Sequence, residues 1–173
     1  MMRGTGTFFL GWATADGGEL EEGIGLMEQG LTLFSAVRHV PSQMLTILAS
    51  ANADLGKPGE ALELLKDAFA ATEISGERWL QAELHRLRGR LLVVRGQHDE
   101  SEACFRSAIE VSSEQGARTL ELRAATDLAR LWRDQGARIE ARDLLAPIYG
   151  WFREGFDTRD LKEAKALLDE LAS

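Results

Sequence analysis

The sequence predicts an all-α fold built from tandem antiparallel helix hairpins, and three observations predict it. Glycine recurs at a nearly constant spacing, with Gly18, Gly56, Gly96 and Gly136 separated by 38, 40 and 40 residues. An apolar stripe of helical period follows each of these glycines, and a further apolar segment precedes it. Runs of β-branched residues are nearly absent, and the 173 residues include only 3 prolines. A self-similarity of this length is typical of helical repeat proteins.

The stripe after each glycine predicts the second helix of a hairpin. It begins five residues after the glycine and follows the spacing i, i+3, i+4, i+7, as in Ser101, Cys104, Phe105 and Ala108. The first and fourth places are small in almost every unit. The middle place is large in all four units, where it is Met27, Leu65, Phe105 and Leu145. Small residues allow two helix axes to approach to the short end of the usual range of about 8–10 Å.

The segment before each glycine predicts the first helix of a hairpin. A small residue lies seven positions before the glycine every time, as Gly11, Ala49, Gly89 and Ala129. The glycine then supplies the positive φ that ends the helix. The predicted helices are 7–16, 19–36, 42–55, 58–74, 78–95, 99–115, 119–135, 138–154 and 159–171. We expect one domain over residues 1–173, with hairpins at 7–36, 42–74, 78–115 and 119–154 and a capping helix at 158–171.

Helix starts and one proline add local detail. Pro58 stands at a first helical position, where it loses no hydrogen bond. Asp99 with Glu102 is typical of a capping box. Pro147 falls inside the eighth helix, so that helix is predicted either to kink there or to end.

With these rows of small and large residues, the sequence resembles the tetratricopeptide repeat (TPR) superfamily, in its longer-repeat variant. More narrowly, it resembles the C-terminal repeat region of bacterial multidomain signalling proteins, which join a class III cyclase or a DNA-binding regulator module to an ATPase. The segments that carry the resemblance are 76–79, 82–87, 102–106, 128–136 and 141–152. The resemblance implies a right-handed α-solenoid that senses or docks partners in signal transduction or regulation. The cyclase and ATPase parts have no counterpart here, so neither activity carries over.

Composition and charge narrow the classes of function. The formal net charge of -8 argues against general nucleic-acid binding. No window is apolar enough for a membrane span, and the cytoplasm is the expected location. No phosphate-binding loop is present, and the single cysteine, Cys104, lies in an apolar stripe as a small buried hydrophobe. His98 with Asp99 and Glu100 suits a solvated helix start better than a metal site. We therefore expect no catalysis and no cofactor.

Arginines suggest a binding surface on the first helices of the third and fourth hairpins. In the superfamily that the sequence resembles, these helices line the concave groove. The candidate site residues are Arg86, Arg90, Arg123, Arg130 and Arg133. Guanidinium groups bind carboxylates through paired hydrogen bonds, so the predicted partner is acidic. Two alternatives stay open. The arginines could form intrahelical salt bridges, such as Glu83 with Arg86, or the groove could bind a small anionic effector. An open groove favours a peptide, and a closed pocket with convergent arginines favours an effector.

The N-terminal hairpin carries two further expectations. Phe8, Phe9, Leu10 and Trp12 form an apolar end that predicts self-association as a homodimer. Four helical glycines, each unfavourable by roughly 1 kcal/mol relative to alanine, predict the fastest amide exchange before about Phe34. Trp12, Trp79, Trp132 and Trp151 lie at helical positions, either in the core or as exposed binding anchors.

Overall fold

The computed structural model describes residues 2–35 and 40–173, and over these residues its regular secondary structure is entirely α-helical. The helices are α1 Met2–Asp16, α2 Leu20–Ser35, α3 Ser42–Asp54, α4 Pro58–Ser75, α5 Gln81–Val94, α6 His98–Glu114, α7 Arg118–Asp134, α8 Arg138–Gly150 and α9 Arg159–Ala172. The predicted all-α fold of helix hairpins is confirmed in this part of the chain.

Glycines in the left-handed region separate the helices. Gly18, Gly56, Gly96 and Gly136 have φ values of 103°, 79°, 73° and 87°, which confirms their predicted place in the turns inside the hairpins. A second series, which the sequence analysis missed, follows α4, α6 and α8 at Gly76, Gly116 and Gly155. A side chain with a Cβ is strained at such φ values, so glycine is the favoured residue there. From Gly56 to Gly136 a left-handed glycine therefore reverses the chain every twentieth residue.

The first compact unit, Met1–Leu80, contains α1 to α4. Its α1/α2 hairpin is held by direct backbone contact. A Cβ built on Gly11 would lie 2.5 Å from the carbonyl oxygen of Gly23 and 2.6 Å from the nitrogen of Met27. A Cβ built on Gly30 would lie 2.6 Å from the nitrogen of Phe8. The small places of the predicted stripe therefore bring two helix backbones together, while the large residues Phe8 and Met27 are fully buried.

The second compact unit, Gln81–Ser173, contains α5 to α9. Each helix packs against the next, and α7 also contacts both α5 and α9. We call these three helices the α5/α7/α9 row. The buried ring of Phe105 from α6 lies against Gly89 of α5, where a Cβ would come within 2.6 Å of a ring carbon. The apolar face of α9 completes the core through Leu161, Ala164, Leu167 and Leu171.

Several local predictions are corrected by the structure. Helix α1 begins at Met2 and not at residue 7, and α8 ends at Gly150 and not at residue 154. The capping box is wrong because α6 begins at His98, one residue before the predicted cap. Pro58 is confirmed in the first turn of α4. Pro147 lies inside α8, in its last turn, so the helix continues for three residues beyond it.

Candidate functional site

Arg86 does not face solvent as an anion-binding group. Its side chain is 7% exposed, and all three guanidinium nitrogens donate hydrogen bonds. Nε and Nη2 donate to Glu83 at 2.9 and 2.7 Å, and Nη1 donates to Asp127 of α7 at 2.7 Å. Burial by itself lowers the pKa of Arg86, but the two carboxylates outweigh it and raise that pKa. Arg86 therefore links α5 to α7, and the alternative pairing of Glu83 with Arg86 is confirmed.

The α7 arginines pair with carboxylates of α9. Arg130 donates to Glu163 at 2.8 Å, in addition to Asp127 at 3.1 Å. Arg133 donates to Glu170 at 3.0 Å. These contacts join residues that are 33 and 37 positions apart in the chain. The arginines of the row therefore hold its helices side by side.

The ion pairs with α9 change the net charge of the candidate site from the charge expected for α5 and α7 alone. Arg123 lies 3.8 Å from Asp160, so three carboxylates of α9 are within ion-pair distance of an α7 arginine. The helix that was expected only to cap the array thus supplies negative charge to the candidate site. The row is an alternating set of cations and anions and not a uniformly basic surface.

Glu83 of α5 is the carboxylate on which three arginines of the row act. Arg86 holds this carboxylate, Arg123 lies 3.4 Å from it, and the charge of Arg90 also acts on it. Burial raises the pKa of Glu83, but these three guanidinium groups outweigh burial and lower it overall. Arg90 is exposed, and the side chain of Arg123 is 35% exposed. Arg86 also pairs with Asp127, and Arg123 lies 3.8 Å from Asp160, so Arg90 is the arginine at this end of the row that belongs to none of the ion pairs found among the described residues.

The predicted apolar end on α1 is only partly exposed. Phe8 was expected to belong to it, but Phe8 is 0% exposed because it packs against Gly30 within the hairpin. Phe9, Leu10 and Trp12 are 38%, 59% and 48% exposed, and the rings of Phe9 and Trp12 meet edge to face at 6.4 Å. The exposed patch therefore comprises three of the four predicted residues.

The tryptophans and the cysteine differ in burial. Trp12, Trp79 and Trp151 are about half exposed, so core packing does not describe them. Trp132 is partly buried and donates to Glu102 at 3.0 Å, below the guanidinium of Arg106. Cys104 is confirmed as buried, and burial raises the pKa of its thiol, which disfavours the reactive thiolate.

An open depression of about 540 Å³ lies between α6 and α8, with α7 as its floor. Arg106 is the one arginine in its lining, together with Glu110 and Glu114. This lining differs from the closed pocket with convergent arginines expected for an anionic effector. Within residues 2–35 and 40–173, no three histidine, cysteine or acidic side chains are placed to hold a metal ion. None of the helices described here is long and apolar enough to cross a membrane.

This chain is similar in sequence to one part of a much longer bacterial protein. An uncharacterized protein of Rhizobium meliloti (strain 1021) is 31% identical over 137 residues, which are 75% of this chain. The match covers 13% of the relative, so the chain spans about an eighth of that protein's length. No protein-family model matches the chain.

Comparison with solved structures shows that the fold of this chain is similar to that of TPR-like helical repeats. The crystal structure of nearly identical TPR-like repeats from a Podosopora anserina protein assigned as a kinesin light chain gives a TM-score of 0.75 at 19% identity. It covers 98% of this chain and 85% of that one. The crystal structure of MamA gives a TM-score of 0.64 at 18% identity and covers 99% of this chain and 88% of the other. These similarities establish the fold.

Proposed function

We propose that the chain is a non-catalytic interaction and scaffold module that binds an acidic segment of a partner protein. The TPR-like fold supports this function because stacked helical repeats offer an extended surface to a ligand. We propose that the module acts in bacterial signal transduction or regulation, in the cytoplasm. That setting rests on the sequence resemblance described above, and the length and bacterial source of the relative agree with it.

The observation that carries the proposal is the convergence of three guanidinium groups on Glu83. Arg86 is fully used by its two carboxylates, so it offers no free donors to a ligand. Arg90 is exposed, and Arg123 is partly exposed beside it. An incoming carboxylate would receive paired hydrogen bonds from Arg90 while Arg123 supplies a second cation. The acidic residues of the partner would thus dock at the α5 end of the row.

A labelled peptide tests this site directly. The probe is a fluorescein-labelled peptide rich in aspartate and glutamate, and its control contains asparagine and glutamine at the same positions. We expect Arg90→Gln to weaken binding of the acidic peptide about tenfold, since a charge-assisted hydrogen bond contributes roughly 1.5–3 kcal/mol. Fluorescence anisotropy measures the dissociation constant.

Arg88→Gln is the matched control for this measurement. Arg88 is an exposed arginine of the same helix, but two residues from Arg90 it projects from the other side of α5. Its replacement removes the same charge and should leave binding almost unchanged. Equal weakening by both variants would indicate only a general attraction of charge. Unchanged binding by Arg90→Gln would place the partner site elsewhere.

We further propose that the exposed patch of Phe9, Leu10 and Trp12 supports a homodimer with two-fold symmetry. Sedimentation at high micromolar concentration should show a dimer that Phe9→Glu and Trp12→Glu convert to a monomer. Phe8→Glu is unsuitable because it would place a charge in the core. Ile74→Glu, at a residue that is 73% exposed on α4, is the control and should leave the dimer intact. A monomer for the unsubstituted chain would contradict the proposal.

A further inference from the structure

A second depression in the first unit differs in charge from the α5/α7/α9 row. It has a volume of about 580 Å³ and lies between α2 and α4, with α3 as its floor. Among the described residues, α2 and α4 do not contact each other, which leaves this space open between them. Leucines from all three helices, Leu31, Leu48 and Leu64, form its apolar walls. The depression is therefore a groove with apolar sides and room for an extended side chain.

The floor of the groove contains a hydrogen-bond acceptor without a donor. Asn52 of α3 lines the groove and is 1% exposed. Its Nδ2 donates to the carbonyl oxygen of Leu48 at 3.0 Å, and Oδ1 has no partner. The amide cannot be turned over, because two oxygen acceptors would then face each other. Among the described residues it is the one fully buried side-chain nitrogen or oxygen that lacks a hydrogen bond. Since buried acceptors are almost always satisfied, this oxygen points to a ligand that donates.

The rim of the groove is acidic. Glu28 of α2 and Glu60 and Glu63 of α4 line it, and all three are exposed. Lys57 lies 3.7 Å from Glu60, and Lys66 lies 3.7 Å from Glu63, but such exposed pairs are weak and exchange readily. Glu28 belongs to none of the ion pairs found among the described residues. The rim therefore favours a cation, in agreement with the unsatisfied acceptor below it.

We propose that this groove binds a lysine side chain from a basic segment of a partner protein. The lysine ammonium group would lie between the carboxylates of Glu28 and Glu63, which balance its charge, and it would donate to Oδ1 of Asn52 once a small side-chain movement uncovers that buried oxygen. Its methylene chain would lie along the leucine walls, as lysine stems do on apolar surfaces. A lysine fits better than an arginine because one acceptor at the floor suits a compact donor, whereas guanidinium needs a paired acceptor. This surface is separate from the proposed acidic-peptide site and opposite to it in charge.

The test uses a fluorescein-labelled peptide of alternating lysine and glycine, with an acetyl-lysine version as control. We expect the lysine peptide to bind and to shift the Asn52 side-chain amide signals in a ¹H–¹⁵N spectrum. Asn52→Leu, which keeps the branched shape of the side chain but removes its polar atoms, should weaken binding about tenfold. Glu28→Gln should weaken binding of the lysine peptide about threefold. It is the second test variant, which decides the question if Asn52→Leu fails to fold.

Matched controls separate this site from general attraction to an acidic chain. Glu21→Gln removes an exposed carboxylate from the same helix outside the groove and should leave binding unchanged. Equal weakening by Glu21→Gln and Glu28→Gln would overturn the proposal, as would equal binding of the acetylated peptide or an unmoved Asn52 signal. Tighter binding of free spermidine than of the lysine peptide would also overturn it, because the ligand would then be a free polyamine and not a protein segment.

Discussion

The α1/α2 hairpin and the α5/α7/α9 row hold their helices together by different means. In the hairpin, Gly11 and Gly30 allow backbone atoms of the two helices to touch. In the row, the helices are linked by buried and half-buried ion pairs, of which Arg86 with Asp127 is the most enclosed. The first arrangement depends on the absence of a methyl group, and the second adds ion pairs to an apolar core. The two regions should therefore respond to different changes in sequence and solvent.

The largest expected effect is the loss of the buried cation in the row. Arg86→Met would leave Glu83 and Asp127, with side chains 17% and 10% exposed, without their shared partner. Breaking a buried ion pair in this way costs about 3–5 kcal/mol of folding free energy. Urea unfolding, combined with amide exchange of α5 and α7, measures the loss.

Arg133→Met provides the matched comparison. Arg133 pairs with Asp134 and Glu170, whose side chains are 65% and 49% exposed, so its loss should cost less than about 1 kcal/mol. Exchange in α1 and α2 should not change in either variant. Equal effects of the two substitutions would show that burial does not determine the contribution of these pairs.

A methyl group at a close-packed glycine is the next largest perturbation. Gly30→Ala would place a Cβ 2.6 Å from the nitrogen of Phe8 and 2.8 Å from the carbonyl oxygen of Gly4. Backbone atoms cannot turn aside as a flexible side chain can, so the helices must separate. Overpacking of this kind costs about 1–3 kcal/mol. Thermal unfolding followed by tryptophan fluorescence, in a variant that keeps only Trp12, measures it; an unchanged transition would contradict the close approach.

Acid should weaken the row more than the hairpin. The hydrogen bonds from Arg130 and Arg159 lower the pKa of Glu163, and the guanidinium groups around Glu83 lower its pKa despite burial. A lowered pKa contributes stability above the unfolded value near 4.5, and that stability is lost as pH falls through the folded value. Fluorescence of a variant that keeps only Trp132 should show the loss below about pH 4.5. In Glu83→Gln the decrease should be shallower, and an equally steep decrease would contradict this assignment.

The smallest expected effect is a gain in the stability of the α1/α2 hairpin. Gly25 lies in α2, and a Cβ added there would meet no atom within 4 Å. Gly25→Ala should therefore stabilise the hairpin by about 1 kcal/mol through helix propensity alone. Amide exchange in α1 and α2 should slow about fivefold. This experiment also tests the expectation that exchange is fastest before Phe34, since uniform protection along the chain would contradict it.

The helices could be predicted because their signals are local. A glycine turn and a stripe such as Ala61, Leu65 and Ala68 lie within one hairpin, and the buried state of all three confirms the stripe. The second series of turn glycines was also readable, since Gly76 and Gly116 stand at half the repeat length from the first series.

The candidate sites were harder to predict because they depend on distant partners. Glu163 reaches Arg130 across 33 residues, and a count of charges on α5 and α7 alone leaves this carboxylate out. Phe8 was predicted to be exposed because the pairing of its backbone with Gly30 cannot be read from the spacing of apolar residues. Asn52 could have been recognised from the sequence, because it is a polar residue in the otherwise apolar stripe of Leu45, Leu48 and Ala49.

The regular spacing of left-handed glycines limits how this chain can be shortened or lengthened. Within the second unit, removal of residues 97–136 would join Gly96 to Ala137 and bring α8 into the position of α6 with its direction unchanged. Removal of only residues 97–116 would reverse the direction of α7 and of each helix after it. Gene rearrangements that preserve the fold should thus add or delete coding sequence in steps of forty codons, and half-steps should be eliminated by misfolding.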